Sequence, residues 1–331
     1  MTPLEIRFAT FNVCNLAPAG AQLYDNLAPL TADEYEAKAN WTARQLDLLD
    51  ADVIGFQEIF SQAALRDVLS RTQRYRDAVH AGFDPDPNAT RLTPNVALVS
   101  RLPLAAEPVV YADFPQGVSS DSRATAGNNP DADRFARAPL HAQVQLPNGV
   151  IADVVVVHLK SRRPDYRNGD GNADPLQYAL ANLRSLVWRG TEAVALRVLL
   201  SNLMKERDRP CVAMGDFNDT ADAVTTTIVM GAGAACEPGD ELRGRLFDSA
   251  QIQLRQDLLR HVSYTTLHEG RYNTIDHILV SDHFHPQSAR AMADVMDVTY
   301  LNDHLADIRP EASDHGQVRM RLRLRNAAVP L

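Results

Sequence analysis

The 331-residue chain has little cysteine: only Cys14, Cys211 and Cys236. No two of them have the close spacing of a metal-binding or redox pair, which argues against a thiolate zinc site, a redox dithiol or a disulfide framework. Cys211 lies in the apolar run Cys211-Val212-Ala213-Met214 and reads as a small buried hydrophobe. This cysteine usage agrees with a reducing compartment. No window approaches the ~18–20 apolar residues of a membrane span. The N-terminal residues lack a basic stretch followed by an apolar one. A soluble, cytoplasmic protein is expected. Positive charge is not in excess either, because the formal net charge is −9. Non-specific duplex binders draw most of their affinity from a basic face, so this balance lowers the case for long nucleic acid. A Gly-rich phosphate loop, His-Glu-x-x-His and Gly-x-Ser-x-Gly are all missing.

What is there is ample core material, with 45% of residues hydrophobic. Short β-branched runs ending in polar residues predict strands at 6–13, 52–56, 95–100, 140–146, 150–157, 211–215, 274–280 and 318–324. Pro147-Asn148-Gly149, between two of these, is a hairpin signal. The last run alternates apolar residues with Arg319, Arg321, Arg323 and Arg325. That pattern fits a half-buried strand with a solvated basic face; a nucleic-acid stripe is the other reading. Helices are expected at 31–49, 61–69, 176–207 and 222–230, with Gly190 as a break or kink in the third. Thr31 and Glu34 have capping-box spacing at the start of the first. Loops at 84–94, 113–133 and 231–244 are long enough to shape a binding site. Helices are missing between residues 95 and 157, so a purely parallel doubly wound sheet does not fit. The pattern is α/β, with sheets packed face to face and helices outside.

Six short polar motifs stand out, most at the end of an apolar run. They are Thr10-Phe11-Asn12, Gln57-Glu58, His158-Leu159-Lys160-Ser161, Gly215-Asp216-Phe217-Asn218, Ile275-Asp276-His277 and Ser313-Asp314-His315. Each alone is weak; together they read as one metal-dependent phosphoester-hydrolysing site built from strand ends. Because residues 12 to 315 must converge, a single domain over 1–331 is expected. Such chemistry needs a divalent metal, a base for water and donors to the transition-state oxygens. Hard cations such as Mg2+ and Mn2+ take carboxylate and amide oxygen. Glu58 is the main candidate metal ligand, and Asp314 completes the shell directly or through water. Asn12 offers an amide oxygen to the metal or an N–H to phosphate. Asp216 aligns and deprotonates water. Asn218, two residues on, binds the transition state if the backbone stays extended. Asp219 reads as a helix N-cap. His315 donates to a phosphoryl oxygen. Asp276, a charge inside an apolar strand, is paired with it. His158, Lys160 and Ser161 form a phosphate-facing turn, and Arg137 is a candidate phosphate clamp. Asp303-His304, with Asp307 beyond, reads as a solvated loop or helix face.

In this order the six segments resemble the endonuclease/exonuclease/phosphatase superfamily, a deoxyribonuclease-like group of metal-dependent phosphoesterases, from Asn12 to His315. The resemblance implies a four-layered α/β sandwich, with two stacked mixed β-sheets flanked by helices. It implies Mg2+- or Mn2+-dependent hydrolysis without a covalent intermediate. By position it carries a metal role onto Glu58 and Asp314 and water activation onto Asp216. It carries transition-state contacts onto Asn12, His158, Asn218 and His315, and support of His315 onto Asp276. Residues 189–193 and the His-Leu-Lys-Ser motif are similar to bacterial nuclease/phosphatase-like members. Asn273-Thr274-Ile275-Asp276-His277 departs from the Trp-Cys-Asp-Arg pattern of inositol phosphatases. Cys14 stands where abasic-site enzymes often carry an acid. The expected activity is a phosphodiesterase, with short or single-stranded nucleic acid as one substrate class. The alternative is a phosphomonoesterase on a small phosphorylated metabolite or lipid headgroup. A non-catalytic binding protein of the same fold is the third reading.

Overall fold

Strands rich in β-branched and aromatic residues bury both faces here, and each face serves a different core. The computed structural model describes residues 4–84, 92–119, 133–167, 173–232, 241–255, 262–307 and 309–325. Along the chain run β1 (Glu5–Leu16), α1 (Ala32–Leu49), β2 (Val53–Ile59), α2 (Gln62–Ser70), β3 (Val79–Gly82), β4 (Asn95–Ser100) and β5 (Val109–Val110). Then come β6 (Leu140–Gln145), β7 (Ile151–His158), α3 (Pro175–Arg207), β8 (Cys211–Asp216), α4 (Val224–Met230), β9 (Leu246–Asp248) and α5 (Ser249–Ile252). The last elements are β10 (Thr266–His268), β11 (Arg271–Asn273), β12 (Asp276–Ser281), β13 (Ala293–Leu301) and β14 (Gln317–Leu324).

One six-stranded sheet has the order β13-β14-β1-β2-β4-β3, the other β5-β6-β7-β8-β12-β9; β10 and β11 form a hairpin apart. Both sheets are mixed. The pairs β1–β2 and β7–β8 are parallel, and the other pairings are antiparallel. Strand alternation decides what faces what. Phe8, Val53, Val154, Val156, Val212 and Met214 fill the core between the sheets. Their neighbours Ala9, Phe11, Ile54 and Phe56 pack outward under Leu46 and Leu49 of α1 and Leu65 and Val68 of α2. Val155, Val157 and Ala213 pack outward under Leu196, Leu199 and Leu200 of α3. The result is four layers: helices, sheet, sheet, helices. A Cβ at Gly55 would lie 3.0 Å from Val156 Cγ1, so this glycine lets the sheets approach closely near the centre.

The capping box at α1 is complete, with Thr31 and Glu34 bonding each other's backbone N–H. Gly190 neither breaks nor ends α3, which runs through it for 33 residues. Of the arginines in and just past β14, Arg319 donates to the Leu49 carbonyl and the other three meet acids. Arg321 meets Glu5 and Asp297, Arg323 meets Glu5, and Arg325 meets Asp294. These pairings fit the reading of a half-buried strand with a solvated basic face. β13 supplies two of those acids, Asp294 and Asp297, and these strand-averse residues hid it in the sequence. The expected loops at 84–94, 113–133 and 231–244 lie largely outside the described residues, as does Cys236. Among the described residues no helix is long and apolar enough to cross a membrane.

Candidate active site

Topology explains why six short motifs meet. The parallel pairs β1–β2 and β7–β8 bring Asn12, Glu58, His158 and Asp216 out at their carboxyl ends. β12 runs antiparallel to β8, so it begins where β8 ends, and Asp276 pairs in register with Asp216. β14 runs antiparallel to β1, so the turn before it lies beside Asn12. Ser313 Oγ donates to the Asn12 carbonyl at 2.7 Å and accepts from the His315 N–H at 3.0 Å, fixing that turn. A parallel strand delivers its end and an antiparallel neighbour delivers its start, so all six motifs reach one edge of the sandwich.

The focal atom is Asp216 Oδ2. Around it stand Asn12 Nδ2 at 3.2 Å, His158 Nε2 at 3.4 Å and His315 Nε2 at 4.0 Å. The other oxygen, Oδ1, accepts the Asn218 N–H at 2.8 Å. Asn12 Nδ2 also reaches Glu58 Oε1 at 3.3 Å, so one amide bridges the two carboxylates across the sheets. Its Oδ1 accepts the Cys14 N–H at 3.0 Å. Glu58 Oε2 accepts the Asn15 N–H at 3.0 Å. Asp276 Oδ2 lies 2.9 Å from His315 Nδ1, while its Oδ1 is buried with no partner among the described residues.

The backbone is bent to reach this arrangement. Seven non-glycine described residues have positive φ. Asp50 and Asp208 end helices, and Glu269 turns a hairpin. The other four, Cys14, Asn15, Glu58 and Asn218, all lie at the site. Such conformations cost roughly 1–3 kcal/mol each outside favoured residue types, and they collect where function demands them. Cys14 and Asn15 form an irregularity between β1 and β2 that turns the Asn15 N–H toward Glu58. Asn218 is thus left-handed rather than extended, and its Nδ2 donates to the Leu159 carbonyl at 2.9 Å. At Gly215 (φ 153°) a Cβ would fall 1.9 Å from the Val157 carbonyl oxygen, so only glycine allows β8 this close to β7.

Burial and charge shift the titrations. Burial, then repulsion from Asp276, push the Asp216 carboxyl up to about 7, against the opposing pull of His315 and the Asn218 N–H. Burial works against a charged His315, but Asp276 and then Asp216 and Asp314 overcome it and hold the imidazole well above its ordinary value. His158 is fully buried, and that burial, with Arg137 and His315 nearby, keeps it neutral. The centre therefore offers one imidazolium, one neutral imidazole and a carboxyl poised near neutrality.

The expected phosphate clamps sit differently. Arg137 Nη1 donates to the Leu159 carbonyl at 3.1 Å. Lys160 Nζ reaches the carbonyls of Ser161 and Arg163 at 3.3 and 3.4 Å and lies over the Trp188 ring. The Ser161 carbonyl accepts from Ser185 Oγ at 2.8 Å. Asp314 is exposed beside the cluster. Asp219 is not a helix cap, because Ala223 occupies that position; it binds Arg189, Arg162 and Thr225 instead. His304 is not a solvated loop residue: its Nε2 lies 2.9 Å from the His315 carbonyl and its ring packs edge-on against Trp41.

Sequence reasoning missed Glu192 and Lys38. Glu192, fully buried in α3, accepts the N–H groups of Ala136 and Lys160 and so anchors the segments carrying Arg137 and Lys160. Its signal was available: Arg189 and Glu192 share a helical face with Ala193 and Leu196, an apolar stripe where charge is costly. Lys38 is buried on α1 and feels Cys14, Asp314 and Glu58 through space.

Two groups could take a cation. Asp216, Asp276 and His315 have ligand atoms within 4.8 Å of one another. That trio already carries the positive charge of His315. Glu58 is half-buried, and each oxygen accepts only one N–H, which leaves lone pairs free. With Asp314 nearby it offers hard anionic oxygen, the donor type that Mg2+ and Mn2+ take. The donor set fits such an ion.

The model of the endonuclease/exonuclease/phosphatase family matches residues 9–315. The chain belongs to this family. Its members are hydrolases acting on phosphoester bonds. Solved structures of the same fold include the human Nocturnin catalytic domain with bound sulfate anion, at TM-score 0.60 and 16% identity, covering 98% of this chain and 97% of that one. The Bacteroides thetaiotaomicron mannosyl-6-phosphatase Bt3783 matches at TM-score 0.58 and 16% identity, over 96% and 99% of the two chains. A humanized D. rerio TDP2 matches at TM-score 0.55 and 15% identity, over 96% and 98%. At such identities the likeness is one of fold. No curated protein sequence matches the chain.

Proposed function

We propose that this family member is a divalent-metal-dependent phosphodiesterase, acting as one domain over residues 1–331. The observation that carries the reading is the convergence of Asn12, His158 and His315 nitrogens on Asp216 Oδ2. Glu58 and Asp314 would hold Mg2+ or Mn2+, with Asn12 orienting Glu58. When bound, the ion neutralises phosphate charge and stabilises charge developing in the transition state. Asp216 takes the proton of the attacking water. Its pKa near 7 suits a base at neutral pH. His315, kept protonated by Asp276, donates to a phosphoryl oxygen. His158 stands at the same carboxylate, ready to contact the transition state, whereas Asn218 holds Asp216 through its backbone N–H and spends its side-chain amide on the Leu159 carbonyl.

The surrounding cations favour a diester. A monoester dianion needs more compensating charge than a diester monoanion. Arg137 and Lys160 both spend donors on backbone carbonyls, which weakens a dianion clamp. The test compares bis-p-nitrophenyl phosphate with p-nitrophenyl phosphate, with Mn2+, with Mg2+ and after EDTA. Faster diester turnover that EDTA abolishes supports the reading. Monoester preference would redirect it to phosphorylated metabolites or lipid headgroups, and metal-independent turnover would refute the role of the ion. Short or single-stranded nucleic acid is the first natural diester to try.

A further inference from the structure

A cavity of about 200 Å3 lies beside the candidate metal ligand. Its walls are largely aliphatic, including Ala17, Leu23, Leu27, Ala28 and Pro310. Leu27 is 43% exposed, although leucine gains from cover. Cys14 and Asn15 line the cavity too, and the Asn15 N–H binds Glu58, so cavity and carboxylate share a wall. Lys38 completes the lining. It is only 5% exposed, and Asp314, Glu58 and Glu311 act on its ammonium through space without a direct hydrogen bond among the described residues. Holding an ammonium in so covered a position with no direct hydrogen bond is costly, and leucine would fill the same helix face at no such cost.

We propose that this cavity is a subsite for a compact apolar substituent of the substrate, ending in one hydrogen-bond acceptor that Lys38 receives. The proposal rests on the phosphoesterase reading only for what the other end of the group is attached to. The chemistry of the walls narrows the class. A sugar would lose its water without finding partners. A second phosphate would face Glu58, Asp314 and Glu311, which already surround the ammonium electrostatically. One acceptor, neutral or singly charged, matches one ammonium. An aliphatic cavity of roughly 150 Å3 is known to take a benzene ring, so this one holds a six-membered ring with one substituent.

The test starts without metal, so that neither catalysis nor an ion can produce the signal. Benzamide and benzoate are titrated into metal-free protein and followed by saturation-transfer NMR. The wild type is compared with Lys38→Met, which keeps the stem and removes the donors, and with Ala28→Phe, which blocks the cavity from an exposed wall position. At least one fragment should bind the wild type, the stronger one telling whether the acceptor is neutral or anionic. Lys38→Met should weaken it roughly tenfold or more, and Ala28→Phe should abolish it. No binding to the wild type, or equal binding to Lys38→Met, overturns the proposal. With Mn2+, the KM of methyl 4-carbamoylphenyl phosphate relative to methyl phenyl phosphate should rise in Lys38→Met. Fragment binding without turnover of any ester would retain the subsite and remove the phosphoesterase reading. Turnover with an unchanged KM ratio would do the reverse.

Discussion

At the residue scale, the centre is a set of opposing shifts around one carboxylate. Asp276 raises His315 by attraction and Asp216 by repulsion. The base form of Asp216 and the acid form of His315 must coexist, so kcat/KM should be bell-shaped in pH. Activity rises as Asp216 loses its proton, through about 7 before any bound cation pulls that limb lower. It falls when His315 loses its proton. Asp276→Asn removes both influences, so both limbs should move to lower pH. A pH–rate profile checks this, and limbs moving in opposite directions would contradict the pairing. His315→Ala should lower kcat by roughly two to three orders of magnitude, the scale of a lost transition-state donor, while calorimetric Mn2+ affinity changes far less. An equal loss of affinity would make His315 a metal ligand instead. The identities at this scale were legible because most of the polar motifs end an apolar run. Their hydrogen bonds were not, because Cys14, Asn15, Glu58 and Asn218 adopt left-handed backbone that their residue types do not announce.

At the element scale, strand direction does the assembling. The runs at β4, β7 and β8 were readable because strands buried on both faces are continuously apolar, and β14 because its apolar residues alternate with arginine. The strand β13 was not, because its Asp294 and Asp297 answer Arg325, just past β14, and Arg321 on it, a cross-strand pairing invisible before the two strands meet. Glu192 on α3 was a different case, because its place on an apolar helical stripe with Ala193 and Leu196 could have marked it as buried. Gly215 gives the sharpest test at this scale. Gly215→Ala puts a methyl into the Val157 carbonyl. It should cost more than about 1–3 kcal/mol, the usual range for overpacking, read as a lower Tm together with lost turnover. Full stability in this variant would mean that β7 and β8 do not approach as described.

At the scale of the whole molecule, the site exists only when both sheets are folded and stacked. Asn12 and Glu58 come from one sheet, and His158, Asp216 and Asp276 from the other. A cation that binds the native state alone therefore stabilises the entire chain. Mn2+ at roughly a hundredfold excess over its Kd should add about 2.7 kcal/mol, seen as a raised Tm that Glu58→Ala abolishes. The net charge of −9 is compatible with this, because solvated and paired acids lie elsewhere on the surface. The most direct test of the account is turnover of bis-p-nitrophenyl phosphate by Asp216→Asn at saturating Mn2+, with metal binding measured on the same sample. The expected result is a fall in kcat of roughly two to four orders of magnitude with Mn2+ affinity largely kept. Turnover near the wild-type rate would contradict Asp216 as the base and, with it, the centre built around that carboxylate.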